Sequence, residues 1–239
     1  MSTRLPSERR PAGRPRKVPR PDGGGDARAE IVAVASRLFA RRGVAVTTMA
    51  EIAEAAGLGP SSLYYWFRSK QQILEVIVTD VNRAPLEFAE RAAEESGSPA
   101  ARLWRLLRFD VETLCRFPFD INEVHRLAGE EPTAFPRYWS ERQRLNDAVE
   151  RLVADGVAGG DFLSVDPRLT ALTLLANDEA VQNWYRPVGG IRLAGRAEDA
   201  GGDYGPGEIA VYVADLALRG LLARPETFEA IRREALAGM

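Results

Sequence analysis

Hydroxyl and phenol side chains are concentrated in one short stretch of the chain. Ser61, Ser62, Tyr64 and Tyr65 fall within five positions, interrupted only by Leu63. Side chains of this kind donate hydrogen bonds to phosphate oxygens and to the edges of bases. A surface helix with a purely structural role more often carries Glu and Lys. This stretch is therefore a candidate for contact with duplex DNA.

The residues around this stretch predict two short helices with a tight break between them. Thr48 and Glu51 have the spacing of a capping box, so a helix is expected to begin at about Met49. Gly57 tolerates the left-handed conformation that ends many helices, and Pro60 suits a first helical position. The pattern is typical of a helix-turn-helix, with an ordinary pair of antiparallel helices as the alternative.

Three flanking residues are further candidates for DNA contact: Thr47, Thr48 and Lys70. Lys70 lies near the start of the next helix, which Ser69 and Gln72 are expected to cap, and could reach a phosphate. Each has a structural alternative: the threonines could serve only as caps, and Lys70 could be a solvated charge. Partial burial is the corresponding alternative for Tyr64.

The segment from Ala27 to Val81 resembles the DNA-binding domain of the TetR family of bacterial transcriptional regulators. The resemblance covers about 55 of the 239 residues, and it departs from the family pattern at Pro60, where a lysine is frequent, and at Trp66, where a tyrosine is frequent. The first departure removes a phosphate contact, and the second affects core packing. The residues that carry the resemblance are Leu38, Phe39, Gly43, Thr47, Thr48, Ile52, Ala53, Ala56, Gly57, Leu63, Tyr64, Trp66, Phe67 and Lys70.

Charge is distributed unevenly along the chain. Residues 1–28 contain eight Lys or Arg and three Asp or Glu, which gives this segment a net charge of +5. The whole chain has a net charge of −2, so residues 29–239 carry a net charge of −7. A basic arm on an acidic body suggests a polyanionic partner. Arg14-Pro15-Arg16 resembles an AT-hook, which places arginines in a narrow minor groove. A basic tail that adds only non-specific affinity is the open alternative.

Composition excludes several classes of protein. No apolar run approaches the roughly 20 residues that span a membrane, and the basic N-terminus lacks the apolar segment of a secretory signal. The single cysteine, Cys115, and the single histidine, His125, argue against a disulfide or a multi-histidine metal centre. We expect a cytoplasmic protein with no cofactor and no metal.

Apolar residues recur at helical spacing through the rest of the chain, so the predicted fold is all-α with about nine to ten helices. Pro85 is expected to kink or end the helix that starts at Lys70. Later helices are expected at about 98–117, 120–128, 132 or 136–155, 166–185, 209–222 and 225–236, with a long mobile loop at 186–207. The predicted domains are a disordered basic arm (1–25), a helix-turn-helix domain (26–84) and an effector-binding and dimerisation domain (85–239).

Isolated polar groups lie on or beside apolar stripes in the C-terminal half, together with three tryptophans. A few polar groups in an apolar concavity are typical of a small-molecule site, although core packing is the simpler interpretation of each residue singly. We expect an effector pocket formed by the fifth to eighth helices. Its candidate residues are Trp104, Asp110, His125, Trp139, Asn146, Asn183 and Trp184.

Two late helices, about 167–185 and 208–222, are apolar on more than one side. Small residues such as Ala210, Ala214, Ala217 and Gly220 allow close helix approach, and a surplus apolar face suits a dimer interface. The family resemblance implies a homodimer in which these helices form a four-helix bundle with those of the partner.

The function expected from these patterns is a dimeric, sequence-specific DNA-binding regulator, a repressor whose operator affinity depends on an unknown small-molecule effector. The alternative is an architectural DNA-binding protein without a ligand. An enzyme is not expected, because no phosphate loop, nucleophile elbow or metal spacing is present. The adjacent carboxylates Glu130-Glu131 and Asp178-Glu179 diverge by about 100° on a helix and cannot share one substrate atom.

Overall fold

The fold is known from a computed structural model that describes residues 27–94, 97–117, 120–186, 190–191 and 204–238. The basic arm with Arg14 and Arg16, Asp26 (whose position before the first helix suits a cap) and most of the predicted loop at 186–207 lie outside the described residues. Within them the chain is helical, as predicted, apart from a two-residue antiparallel pairing of β1 (Tyr185–Arg186) with β2 (Gly190–Ile191).

The first four helices follow the sequence signals closely. Gly43 and Gly57, at φ +86° and +64°, provide the left-handed turns that follow α1 and α2. The predicted capping box of α2 is confirmed. The helices are α1 (Ala27–Arg42), α2 (Met49–Ala55), α3 (Pro60–Trp66) and α4 (Lys70–Glu94).

Helix α4 does not end at Pro85, contrary to one of the two expectations for that residue. Pro85 lies inside the helix, which continues to Glu94. A proline costs a helix interior one hydrogen bond, and here the burial of Leu86 and Ala89, in the turn that follows Pro85, stabilises the helix beyond it. The helix therefore runs without a break through the predicted domain boundary at 84–85, which remains a prediction.

The C-terminal half is arranged around α5, which packs against α4, α7, α8, α9 and α10. Its largest apolar cluster centres on Trp104, Leu107, Leu152 and Leu175. The helix predicted to end near 185 stops at Ala180 and continues as a 3-10 turn. None of the described helices is both long and apolar enough to cross a membrane. The remaining helices are α5 (Pro99–Arg116), α6 (Ile121–Glu130), α7 (Pro136–Gly159), α8 (Pro167–Ala180), α9 (Pro206–Leu221) and α10 (Phe228–Ala237).

A second apolar cluster joins the N-terminal helices to the body. It contains Ile52, Leu63 and Phe67 from the helix-turn-helix, and also Val124 from α6 and Phe135 before α7. The two helices of the helix-turn-helix, α2 and α3 (the reading helices), therefore share their core with α6. This continuity places α6 between the N-terminal helices and the interior of the body.

Candidate DNA interface and buried polar cluster

The outer face of α3 is the accessible polar surface that the sequence predicted. Leu63 is fully buried and Phe67 is 2% exposed, and these two residues anchor the helix on the core. The four predicted contact residues all lie on the solvent side, with Tyr65 81% and Tyr64 51% exposed. Tyr64 is therefore free to reach a duplex. The exposed set is Ser61, Ser62, Tyr64 and Tyr65.

Trp66 lies on this surface and not in the core, so the expectation that its departure from the family pattern affects core packing is wrong. Trp66 is 40% exposed, and its ring meets that of Tyr65 edge-to-face with a centroid separation of 5.3 Å. Phe67 takes the inward position, with the Arg28 guanidinium 5.1 Å from its ring centroid. Trp66 thus supports the most exposed tyrosine.

The two threonines before α2 hold the helix-turn-helix together. The Thr47 side chain is buried, and its hydroxyl donates to the Gly43 carbonyl at 2.8 Å. The Thr48 hydroxyl accepts from the Glu51 amide at 3.2 Å and donates to the Glu51 carboxylate at 2.9 Å. Both hydroxyls already have partners within the protein, so we withdraw these two side chains as DNA ligands.

Lys70 is also committed inside the protein. Its ammonium group donates to the carbonyl oxygens of Val44, Ala45 and Thr47 at 2.6, 3.0 and 2.9 Å. Burial lowers the pKa of Lys70, and the carboxylates of Glu123 and Glu51 oppose that shift. The predicted phosphate contact is therefore corrected: Lys70 fixes the α1–α2 loop (residues 43–48) that precedes the reading helices.

Glu123 of α6 holds the same loop from the other side. Its carboxylate accepts from the backbone amides of Val44 at 3.2 Å and Ala45 at 2.8 Å. The sequence gave no signal for this contact, because the partners are 78 and 79 residues apart. Glu123 links the body directly to the loop that precedes α2 and α3.

Two further exposed residues border that surface and were missed. Val46 is 60% exposed in the α1–α2 loop, and Arg68 is exposed just after α3. An apolar side chain can contact a thymine methyl group, and a guanidinium can contact phosphate. Loop positions carry no helical periodicity, so the sequence pattern could not mark either residue.

Inside the body, charged side chains from four helices meet in a buried polar cluster. We define it as Asp110 of α5, His125 of α6, Arg142 of α7, and Asp178 and Glu179 of α8. Arg142 Nη1 lies 2.5 Å from Glu179 Oε1, and His125 Nδ1 lies 3.4 Å from Glu179 Oε2. Asp178 is fully buried and Asp110 is 4% exposed.

Burial dominates the electrostatics of this cluster. It raises the pKa of Glu179 to about 7 and that of Asp110 to about 6, with Arg142 opposing both shifts. Burial, with the like charges of Asp110 and Glu179, raises the pKa of Asp178 well above its ordinary value. Burial and then Arg142 lower the pKa of His125 to about 4, so the imidazole is neutral near pH 7.

The cluster contains two of the seven predicted effector residues, Asp110 and His125, and two others lie beside it. The Trp139 ring stacks on His125 with a centroid distance of 6.2 Å, and Asn146 lies one helical turn beyond Arg142. Arg142, Asp178 and Glu179 were not predicted as site residues. Asp178 continues the buried α8 stripe of Ala171, Leu174 and Leu175, and that spacing was the available signal.

The other three predicted effector residues have different roles. Trp104 is fully buried, and its indole N–H donates to Asp215 at 2.7 Å, so it belongs to the core. Asn183 is exposed and accepts from Asn122 at 3.3 Å. Trp184 packs at the edge of a separate cluster around Val111 and Ile209. We withdraw all three from the candidate pocket.

An exposed apolar groove runs between α8 and α9, with a volume of about 580 Å³. Leu169, Tyr212 and Leu216 are 64%, 70% and 61% exposed on this face. Ala210 and Ala214, expected at the dimer contact, are instead buried, because α9 packs against α5. Ala217 and Gly220 line the groove.

Comparison with known proteins matches both halves of the chain. Residues 31–77 match the family described as bacterial regulatory proteins, tetR family. Residues 96–198 match a tetracyclin repressor-like C-terminal domain. Together these two matches span most of the chain and include both α3 and the buried polar cluster.

Individual relatives agree with these matches. The transcriptional repressor KstR2 of Mycolicibacterium smegmatis is 26% identical over 182 residues, which cover 74% of this chain and 86% of KstR2. AmtR from Mycobacterium smegmatis, whose crystal structure is known, has 26% sequence identity and a TM-score of 0.64, and the match covers 92% of this chain and 98% of AmtR. AibR, solved with isovaleryl coenzyme A and operator DNA, shares the fold at 20% sequence identity and a TM-score of 0.58, and the match covers 84% of this chain and 99% of AibR.

Proposed function

The chain belongs to the TetR family of bacterial regulatory proteins and is a DNA-binding transcriptional regulator, and from this premise we propose that it is a homodimeric repressor released from its operator by a small-molecule effector. The observation that carries the proposal is the outer face of α3. Ser61, Ser62, Tyr64 and Tyr65 are exposed together on a helix that Leu63 and Phe67 fix to the core. Such a face can enter a major groove.

The proposed dimer interface is the groove between α8 and α9. Leu169, Leu172, Tyr212 and Leu216 are between 46% and 70% exposed, and an isolated protomer would leave all four in water. Pairing α8 and α9 with the same helices of a second copy would cover them. A dimer would also present two α3 helices to half-sites about 34–36 Å apart, which compensates for the few base contacts of one short helix.

The proposed effector response passes through α6. His125 on this helix contacts Glu179 of α8, and Glu123, two residues earlier, holds the α1–α2 loop. The start of α6 is also tied to the body, because the Ile121 amide donates to Gln182 at 2.7 Å. An effector that binds better to one position of α6 would shift the loop and so change the spacing of the two α3 helices in the dimer.

An architectural DNA-binding protein without an effector is less well supported. That function requires a body that serves only as scaffold, with a sealed core. Asp178 is fully buried in this body, and its carboxylate receives no N–H donor from the described residues but hydrogen-bonds to the Asp110 carboxyl, a second acid. An inert core would be more stable with an apolar residue there.

The DNA-binding half of the proposal is tested by replacing Tyr65. The purified protein is used to select fragments from genomic DNA, and a selected fragment then serves in a fluorescence binding assay. We expect Tyr65→Ala to weaken binding by about 10- to 100-fold, the usual cost of a lost base contact. Tyr204→Ala is the matched control, since Tyr204 is 55% exposed just before α9. Equal affinities of wild type and Tyr65→Ala would contradict the assignment.

The dimer is tested by Leu216→Arg, which places a charge in the centre of the exposed groove. We expect the variant to be monomeric in sedimentation analysis and to lose tight operator binding. Arg224→Glu is the control, an exposed charge change just after α9. A wild-type protein that sediments as a monomer would overturn the dimer.

A further inference from the structure

The buried polar cluster has more hydrogen-bond acceptors than donors. Oδ1 of Asn146, Nε2 of His125 and the neighbouring Tyr138 hydroxyl have no hydrogen-bond partner among the described residues, and Asp178 receives no N–H donor there and hydrogen-bonds instead to the Asp110 carboxyl. With Nδ1 of the neutral His125 facing Glu179, its Nε2 is also an acceptor. An unfilled buried acceptor costs about 1–3 kcal/mol, so this group of atoms calls for a donor.

The cluster also contains more acidic than basic side chains. Three carboxyl groups, Asp110, Asp178 and Glu179, face a single cation, Arg142, and that guanidinium is already paired with Glu179. The Asp110 and Asp178 carboxyls lie close enough to share a proton, and neither contributes a donor without one. An anionic ligand placed here would meet like charge, whereas a cation would replace the shared proton.

Aromatic rings border the same site. The rings of His125, Trp139 and Tyr138 pack against one another, with centroid distances of 6.2 Å from His125 to Trp139, 5.6 Å from His125 to Tyr138 and 5.4 Å from Tyr138 to Trp139. Flat aromatic walls beside carboxylates suit a cation that is planar or attached to an apolar group. A quaternary ammonium ion would satisfy the charge but not the acceptors, because it has no N–H.

We propose that the buried polar cluster binds an N–H-bearing organic cation, such as an amidine or a primary amine on an apolar group, and that this cation is the effector. Asp178 would be the principal ligand, with Asp110 beside it and Glu179 held in place by Arg142. The assignment of the cation as effector rests on the proposed function, because a bound ligand is an effector only if it changes operator binding. The binding site itself rests on the residues described here.

Two sets of probes of equal shape and different charge test the site. One is benzamidine, benzamide and benzoate, and the other is hexylamine, hexanamide and hexanoate. We expect each cation to raise the Tm of the full-length protein by about 2–4 °C near saturation, and the neutral and anionic members to do so less or not at all. If no cation exceeds its uncharged and anionic counterparts in either set, the proposal is overturned.

Substitutions then locate the binding. Asp178→Asn keeps the size of the side chain and removes the charge, so we expect the cation-induced Tm shift to disappear, and Glu179→Gln should reduce it. Asp155→Asn is the matched control, an exposed aspartate on α7, and should retain the full shift. Circular dichroism establishes that each variant is folded. A shift that survives in both Asp178→Asn and Glu179→Gln would place the cation elsewhere and overturn the assignment.

The pH dependence of binding gives a separate readout. A cation that displaces the proton shared by Asp110 and Asp178 should bind up to tenfold more tightly per pH unit as pH rises through about 6–7. The other charged groups that act on this pair are Arg142 on α7 and Glu179 on α8, and His125 on α6 and Tyr138 on α7 lie close to Arg142. Cation affinity that falls over this interval would contradict the proposal.

DNA release separates this inference from the proposed function. A protein that binds selected DNA fragments as a dimer, but ignores the cations and responds to isovaleryl coenzyme A, would retain its repressor function and refute the cation site. A cation-specific Tm shift that Asp178→Asn abolishes, in a protein that binds no DNA, would support the site and refute the repressor.

Discussion

The helix-turn-helix and the body treat polar side chains in opposite ways. In the first, the hydroxyls of Thr47 and Thr48 and the ammonium group of Lys70 all have partners within the protein, and the interior is apolar. In the second, Asn146 keeps an unfilled acceptor inside the body and Asp178 receives no N–H donor from the described residues. The contrast indicates that the N-terminal helices present their chemistry outward from a satisfied core, whereas the body holds its chemistry inside at a cost in stability.

Lys70→Met is the variant that would most clearly break this comparison. It removes the donor to three carbonyl oxygens while keeping an apolar side chain of similar length. We expect a loss of about 1–3 kcal/mol in the free energy of unfolding, measured with urea, and weaker DNA binding as a consequence. Arg68→Met, an exposed change of the same charge, should leave stability nearly unaltered. Equal stabilities for the two variants would mean that the loop does not depend on Lys70.

Asp178→Asn should increase the free energy of unfolding, whereas Lys70→Met should decrease it. Because burial raises the pKa of Asp178, of Asp110 to about 6 and of Glu179 to about 7, the folded protein holds protons that the unfolded chain has released. Their contribution to stability is complete below about pH 4 and is lost as pH rises, through about 6 for Asp110, through about 7 for Glu179 and through the raised pKa of Asp178. At about pH 8, the variant should be more stable than wild type by about 1–2 kcal/mol.

The same experiment has an internal check. At about pH 5 the gain in Asp178→Asn should shrink, because the carboxyl is then protonated in the wild type as well. His125, whose pKa is lowered to about 4, acts in the opposite direction below pH 6.5 but is common to both proteins. Thermal unfolding at several pH values measures the difference. A gain that is independent of pH would exclude titration of the cluster as its cause.

Glu123→Gln tests the link between the two regions and should have the smallest effect on stability. The amide keeps one acceptor for the Val44 and Ala45 N–H groups, so we expect a loss of about 0.5–1.5 kcal/mol. The more informative readout is the ratio of DNA affinities with and without effector, which should move toward one. Glu130→Gln, an exposed carboxylate on the same helix paired with Arg126, is the control and should leave that ratio unchanged.

Sequence reasoning succeeded where the causes are local. The box of Thr48 and Glu51 and the glycines at 43 and 57 act within a few residues, so α1 to α3 could be placed closely. The exposed face of Ser61, Ser62, Tyr64 and Tyr65 was predicted from a cluster of polar side chains within five residues, and Tyr65 is 81% exposed. Of the two alternatives for Pro85, the end of the helix was wrong, because tertiary packing decides whether a helix continues past an internal proline.

The interior of the body could be predicted only in part. Asp110 and His125 were marked as polar residues on apolar stripes, but Arg142, which pairs with Glu179, looks like any surface arginine in the sequence. Lys70 was assigned to a phosphate because nothing near it in the sequence shows that the loop carbonyls point at it. Contacts between distant segments, such as Glu123 with Val44, leave no periodic trace.

The apolar cluster that runs from Ile52 and Leu63 into Val124, Phe135 and Tyr138 limits how this protein can be recombined with its relatives. In a chimera that received only residues 26–84 from another regulator, the apolar side chains of the foreign helices would pack against an α6 and α7 from a different protein, which they do not fit. Grafting α6 and the start of α7 together with the reading helices would keep the donor's packing intact. Retargeting the specificity of such a regulator is thus a matter of transplanting a discontinuous unit.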